Sequence, residues 1–535
     1  MRVVLIRPLY RTASFDPDVQ ESLAIAALGA VARVDGHAVL LLDPMLSGQS
    51  EETTARRAAA FRPDVVGFTA MSSGDVESIR SVTAQLNALC PTPPRLIVGG
   101  SLVSTEPDRA IRVLPAGVVC VRHEGETVIQ ALLTRWEHGK AIDDVPSLTF
   151  LDSSATVTST VSASPAQDLD ALPFPARDFA PSLLERGLSA NIQGSRGCVG
   201  ACKYCCVPAF RRPGSPPWRA KSPARIAEEM AALVRSYGVR TFNFVDDDFL
   251  GPRESSLERA AMLAHAIQDL DLRVAFSIQA RPSSLGPNVV PILARAGLVY
   301  VFLGIEADDQ LTLDHWGRRE QVNDAWEAVR CLRGEGIEPQ AGCILFHPDA
   351  TLKTITRAAS RLRRHGLLNY RTATNRLRLL PGSELRARLG PDPQDQELGT
   401  ALDADLKDAG ASSLLQSVEY ALEPLRSPWV FAMSRLPTLL GRSRVGFPVG
   451  DCCPARQLET VRAIQHSLDA ATDSTFFELA RNLSHCTRRP MMHTAEIRRS
   501  NVDISAKAVA DLVRAGMVKS PEVLACHPHE ATEWW

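Results

Sequence analysis

Ser195-Arg196-Gly197-Cys198-Val199-Gly200-Ala201-Cys202-Lys203-Tyr204-Cys205 sets three cysteines in a C-x3-C-x2-C run, just after a strand reading at 191–194. That spacing lets one loop aim three thiolates at three corners of a cubane iron–sulfur cluster and leaves the fourth iron without a protein ligand. Two other readings stand beside it. Zinc would want a fourth ligand, usually from a second Cys or His pair, and Cys206, adjacent to Cys205, is badly placed to supply one. Inert buried thiols are the other, because free cysteine often behaves as a small hydrophobe.

Outward from this loop, strand and helix patterns alternate. Strands read at 191–194, 241–245, 273–277, 299–305, 340–346 and 371–380 make six βα units, a partial barrel. The first intervening helix opens on Ser222-Pro223, an N-cap followed by proline. Ile226, Met230, Leu233, Val234 and Tyr237 line one face, and Gly238 ends it. Active sites of such barrels lie at the carboxyl ends of the strands, where the Cys198 loop falls.

Upstream, short apolar strands at 3–6, 38–42, 64–68, 95–98 and 118–121 alternate with helices at 21–34, 76–89 and 127–136. The expected fold is a doubly wound, Rossmann-like parallel sheet. Ligands of these sheets sit beyond the carboxyl ends of the strands, which makes Thr69, Ser72, Ser73, Gly99, Gly100, Ser101 and Glu124 the candidate wall. The class is α/β, with domains expected at 1–138 (Rossmann-like), 139–189 (a Ser/Thr/Asp/Pro-rich linker with one hairpin), 190–388 (barrel) and 389–535 (mostly helical). Cys452, Cys453, Cys486 and Cys526, with His485, His527 and His529, fit no standard ligand spacing and read as ordinary residues of the helical part.

The 535 residues call for two or three cores. The 59 basic and 61 acidic side chains nearly cancel, leaving no footprint for nucleic acid. Twelve dispersed cysteines read as a reduced, cytoplasmic inventory. The opening at 1–6 reads as a buried strand, not a signal segment. No run approaches the roughly 18 apolar residues of a membrane span.

Taken in order, the motifs resemble the cobalamin-binding radical S-adenosylmethionine (SAM) family over about residues 1–385. Beside the cysteine run they are Arg62-Pro63-Asp64-Val65-Val66-Gly67, Val98-Gly99-Gly100, Arg122-His123-Glu124-Gly125-Glu126-Thr127, Trp218-Arg219-Ala220-Lys221-Ser222-Pro223, Phe244-Val245-Asp246-Asp247-Asp248-Phe249, Leu303-Gly304-Ile305-Glu306 and Leu379-Leu380-Pro381-Gly382-Ser383. His347 stands where the family often has glycine, and Val19-Gln20-Glu21-Ser22 replaces a proline-rich stretch.

The resemblance implies a [4Fe–4S] cluster on Cys198, Cys202 and Cys205, with SAM on the open iron. It implies SAM contacts from Asp246, Asp248, Arg281 and Glu306, and cobalamin against the candidate wall. With no Asp-x-His-x-x-Gly, and His37 read as structural, no histidine of this domain is expected on cobalt. The implied activity is methylation of an unactivated carbon of a small-molecule or natural-product intermediate, through a 5′-deoxyadenosyl radical and methylcobalamin. A cyclase, rearrangement or other non-methylating radical reaction stands beside it. The partners implied are that substrate and an electron donor such as flavodoxin or ferredoxin, with neither nucleic acid nor membrane. tRNA-methylthiolating enzymes carry a second cysteine triad in the N-terminal domain, whereas residues 1–138 here hold only Cys90 and Cys120.

Overall fold

The computed structural model describes residues 1–9, 20–211, 214–391, 398–399, 401–446, 454–484 and 490–518. Cys452, Cys453, His485, Cys486, Cys526, His527 and His529 lie outside the described residues. Among the described residues no helix is long and apolar enough to cross a membrane.

In the N-terminal part β1 (Arg2–Ile6), β2 (Ala38–Leu42), β3 (Val65–Thr69), β4 (Arg95–Gly99) and β5 (Val118–Val121) are parallel. β6 (Leu148–Leu151) and β7 (Val157–Ser159) add an antiparallel hairpin, giving the order β2-β1-β3-β4-β5-β6-β7. The inner strands are apolar throughout because helices cover both faces, as parallel sheets require. The expected linker therefore starts too early at 139. Its hairpin pairs Val121 with Leu148 and Cys120 with Thr149, extending the sheet instead of spanning a gap.

The barrel opens with β8 (Ala190–Ile192). β9 (Ser195–Gly197) and β10 (Trp218–Ala220) form a separate antiparallel pair. β11 (Thr241–Phe244), β12 (Ala275–Ala280), β13 (Leu298–Glu306) and β14 (Glu338–Cys343) complete a parallel sheet in the order β14-β13-β12-β11-β8. Between β10 and β11 the helix Pro223–Tyr237 is capped as its sequence requires: Ser222 accepts from Arg225 N at 3.1 Å, and Gly238 turns left-handed at φ 71°.

The sixth stave is irregular. Residues 371–374 belong to the helix Tyr370–Thr374, capped by Asn369, and the chain then rejoins the barrel through a single parallel bridge, Phe346 to Arg376. Asn375 takes the place of a ladder residue by donating its side-chain amide to Cys343 O at 2.7 Å. β15 (Arg378–Leu379) then turns away to pair antiparallel with β16 (Leu402–Asp403).

The C-terminal part is helical: Ala409–Leu422, Arg426–Val445, Pro454–Ser484 and Pro490–Arg514. Helix Arg426–Val445 closes the amino-terminal mouth of the barrel. Its Gly441 lies against Thr241 and Ala275, and Thr438 Oγ1 bonds Ser189 Oγ at 2.8 Å. Only a residue without a side chain fits at 441, since a Cβ there would lie 2.9 Å from the Thr241 methyl.

Candidate active site

The cysteine loop is closed at its base by the β9–β10 ladder, which pairs Ser195 with Ala220 and Gly197 with Trp218. Asp246, at the end of β11 and 1% exposed, accepts from Gly194 N at 3.0 Å and Ser195 Oγ at 2.5 Å. Burial raises its carboxyl to about 6. Each of its oxygens accepts one bond from the loop, so Asp246 holds the loop in place.

Asp248 is fully buried and lies 3.7 Å from Cys198 Sγ. Its Oδ2 accepts from Arg281 Nε at 2.9 Å, while its Oδ1 has no partner. An orphaned acceptor beside the first cysteine fits a cationic donor such as the SAM ammonium. Arg281 also donates to Glu320 Oε1 at 2.7 Å and to Gly251 O at 3.0 Å. Its guanidinium thereby ties Asp248 to Glu320 and to the Gly251 carbonyl.

Glu306 closes β13 after a register shift and sits at φ 65°, a conformation that side chains other than glycine rarely adopt. The turn aims its carboxylate at Arg318, 3.7 Å away, and burial raises its pKa. Strain of this kind marks functional positions. Arg318 Nη1 reaches Tyr204 Oη at 3.3 Å and Cys202 Sγ at 3.7 Å. Arg318 and Glu320 were not among the expected contacts, whereas Tyr204 lies within the cysteine motif itself. The only local signal, Trp316-Gly317-Arg318-Arg319-Glu320, is a bare loop in sequence.

The three thiols suit a sulfur-ligated cluster. A Cβ at Gly200 would lie 3.3 Å from Cys198 Sγ and 3.6 Å from Cys202 Sγ, so the missing side chain leaves room between them. Gly200 N donates to Cys198 Sγ at 3.3 Å and Val207 N to Cys205 Sγ at 3.4 Å. Such bonds favour thiolates and tune the metal they hold. In the metal-free protein, burial and then the Asp248 charge raise the Cys198 thiol to about 12, so metal loading must release protons. Among the described residues no three ligands converge on a mononuclear site, whereas a cubane takes its thiolates at separate irons.

Between the carboxyl ends of the N-terminal sheet and the barrel mouth lies a cavity of about 310 Å³. Gly100, Ser101 and Glu124 line it from the sheet, and Gln193, Val245 and Asp247 from the barrel. Asp247 is exposed into it, and burial in the surrounding wall, followed by the neighbouring Asp248, raises its carboxyl to about 6. Thr69, Ser72, Ser73 and Gly99, also expected in the wall, do not line this cavity. Ser72 and Ser73 are backed instead by Gly399, whose amide donates to Glu106 at 2.7 Å.

Glu124 has a task beside lining the cavity. It pairs with Arg196 at 3.0 Å and with Arg219, while Arg196 also pairs with Glu126 at 2.6 Å. Arg196 precedes Cys198 by two residues, so these ion pairs fix the cysteine loop to the N-terminal sheet. His37 lies at the start of β2, the opposite end of the strands, with Nδ1 3.1 Å from the amino terminus. His123 is on the cavity wall, with Nδ1 3.1 Å from Phe210 O.

Gly100 is needed for its backbone: at φ 106° a Cβ would collide with Ala70 O. Gly100→Ala is expected to cost about 1–3 kcal/mol, read as a lower urea midpoint at unchanged m-value.

Residues 192–362 match the model of the radical SAM superfamily, and residues 13–133 match that of the B12 binding domain. The chain belongs to the cobalamin-binding radical SAM family. Its cofactors are accordingly a [4Fe–4S] cluster, SAM and cobalamin. An uncharacterized methyltransferase of Pyrococcus horikoshii is 24% identical over 62% of this chain and 71% of its own length. The anaerobic magnesium-protoporphyrin IX monomethyl ester cyclase of Rubrivivax gelatinosus is 25% identical over 66% of this chain; the match spans 64% of the cyclase, less than two thirds. In fold, the chain is similar to the cobalamin-dependent SAM radical enzyme OxsB, with TM-score 0.74 at 14% identity, over 98% of this chain and 80% of that one.

Proposed function

We propose that this radical SAM enzyme transfers a methyl group to an unactivated carbon of a small-molecule or natural-product intermediate. The observation that carries the reading is a cavity lined by both cofactor-binding parts, with the Glu124–Arg196–Glu126 ion pairs fixing the cysteine loop at its edge.

When bound, the cofactors supply the hard chemistry, reductive cleavage of SAM to a carbon radical and a transferable methyl group. The chain supplies placement. Cys198, Cys202 and Cys205 hold three irons, and Asp248 Oδ1 accepts from the SAM ammonium. Glu306 accepts from the ribose hydroxyls of SAM, kept in place by Arg318. Arg281 and Glu320 hold Asp248 in line. Gly100, Ser101 and Asp247, which line the cavity, would wall the corrin. An external one-electron donor of flavodoxin or ferredoxin type completes the system, which works in the reducing cytoplasm.

The reading predicts that S-adenosylhomocysteine and 5′-deoxyadenosine form together, one of each per methylated product, in anaerobic assays read by mass spectrometry. Turnover yielding 5′-deoxyadenosine alone, with a product not heavier by one CH2, contradicts it. That outcome would favour the non-methylating alternative, a cyclase or rearrangement, for which the named cyclase relative is the supporting observation.

A further inference from the structure

The barrel strands alternate in an unusual sense. Ile192, Phe242, Phe244, Phe276, Ile278 and Leu303 point outward into the helical layer and are fully buried. The intervening residues face the lumen, and most of them are polar, Phe302 being the large exception. Register puts Asn191, Asn243, Ser277 and Tyr300 in one layer and Gln279, Phe302 and Gln340 in the next. Glu306 lies on the same face as Phe302, further toward the cysteine loop. Closed eight-stranded βα barrels fill with Val, Ile and Leu, which this open sheet does not do.

The lower layer satisfies itself. Asn243 Nδ2 donates to Asn191 Oδ1 at 3.1 Å and to Gln20 Oε1 at 2.9 Å, and Ser277 Oγ donates to Asn243 Oδ1 at 2.8 Å. Helix Arg426–Val445 closes the space beneath. The upper layer does not: Gln340 is 3% exposed, yet its Nε2 has no partner. A buried donor left unpaired destabilises the protein that carries it, unless a ligand completes it. The Arg371 guanidinium lies over the neighbouring Phe302 ring at 5.1 Å, adding a second donor group near this layer.

We propose that the Gln279–Phe302–Gln340 layer is the floor of the substrate site and selects an oxygen-rich small molecule, whose carbonyl or hydroxyl oxygen accepts from Gln340, in preference to a hydrocarbon. This rests on the methyl-transfer reading above and adds to it that the reacting carbon enters the barrel lumen beneath the cavity at its mouth. Gln340 is here a specificity-determining residue.

Two measurements on the full-length, cofactor-loaded enzyme test it without turnover. Gln340→Leu and Gln340→Met, free of substrate, are expected to unfold about a degree or more above wild type, because the unpaired donor is gone. An unchanged or lower unfolding temperature in both would overturn the assignment. In gel-filtration retention, wild type is offered a panel of nucleosides, methyl glycosides and hydroxy acids beside detergent-dispersed squalene and a sterol. Retention is expected from the first set only, and to fall at least tenfold in both variants. Retention of the hydrocarbons, of neither set, or of the first set equally by the variants would contradict it. Neither assay consumes SAM. The methyl-transfer reading can therefore fail on its own products while this assignment stands, and the reverse.

Discussion

Alanine at Cys198, Cys202 or Cys205 removes turnover entirely, a loss of ~10⁶-fold or more, since an enzyme without its cofactor retains none of the acceleration that cofactor supplies. The effect at each position is expected to be equal because each thiol serves a separate iron, unlike a cluster of carboxylates in which a neighbour compensates. Stability should barely change in the metal-free protein: the loop is held by Asp246, by the β9–β10 ladder and by the Arg196 ion pairs, none of which involves sulfur. The paired readouts are iron content after anaerobic reconstitution and the unfolding midpoint of the apoprotein. Cys206→Ala, by contrast, should keep the cluster. A single alanine variant at 198, 202 or 205 that kept both iron and turnover would end the cluster assignment.

Arg177→Met is expected to be the most destabilising single substitution away from the cofactors, by about 3–5 kcal/mol, the range for uncompensated buried charge. Arg177 Nη1 lies 2.7 Å from Glu21 Oε1, and its Nη2 lies 2.5 Å from Glu229 Oε1. Those two carboxylates are 0% and 1% exposed in their side chains. Glu21 also accepts from the amide of Asn191 in β8 at 2.9 Å, so the hub ties the N-terminal sheet, the connecting segment and the open edge of the barrel together. Lys221 still faces Glu229 at 2.7 Å in the variant, whereas Glu21 is left with backbone alone.

The pH dependence has a definite sign. Burial already raises the Glu21 pKa in the wild type, so its folded form binds a proton more readily than its unfolded form. Its favourable contribution is complete below the unfolded value and is lost as pH rises through the folded one. Losing Arg177 raises the folded pKa further. The deficit should therefore be larger at pH 8 than at pH 5, and Glu21→Gln in the same chain should recover part of it. Urea unfolding at both pH values checks this; a deficit under 1 kcal/mol at pH 8 would contradict it.

The parts of the site legible in the sequence are those whose chemistry is local. Three cysteines within eight residues state their own geometry, and the βα alternation places them at a strand end before any contact is known. The Asp246-Asp247-Asp248 run was legible as a site but not residue by residue. Successive side chains at a strand end point in different directions, which sends one to the loop base, one to the cavity and one to Arg281. Arg318 and Glu320 were hidden because they reach Cys202 and Arg281 only through the tertiary fold. Ser72 and Ser73 looked like cavity wall because strand order alone cannot reveal that Gly399 packs over them. The inverted alternation of the barrel strands, polar inside and apolar outside, was in plain view at Thr241-Phe242-Asn243-Phe244 and Ala275-Phe276-Ser277-Ile278-Gln279. It acquires meaning only once register shows which set faces inward.

Electron paramagnetic resonance of the anaerobically reconstituted, reduced protein, recorded before and after adding SAM, addresses the open iron most directly. A cubane held by Cys198, Cys202 and Cys205 should give one [4Fe–4S]⁺ signal per chain, and SAM should shift its g-values. A signal unmoved by SAM, or a reconstituted protein that holds zinc at these cysteines, would contradict the assignment.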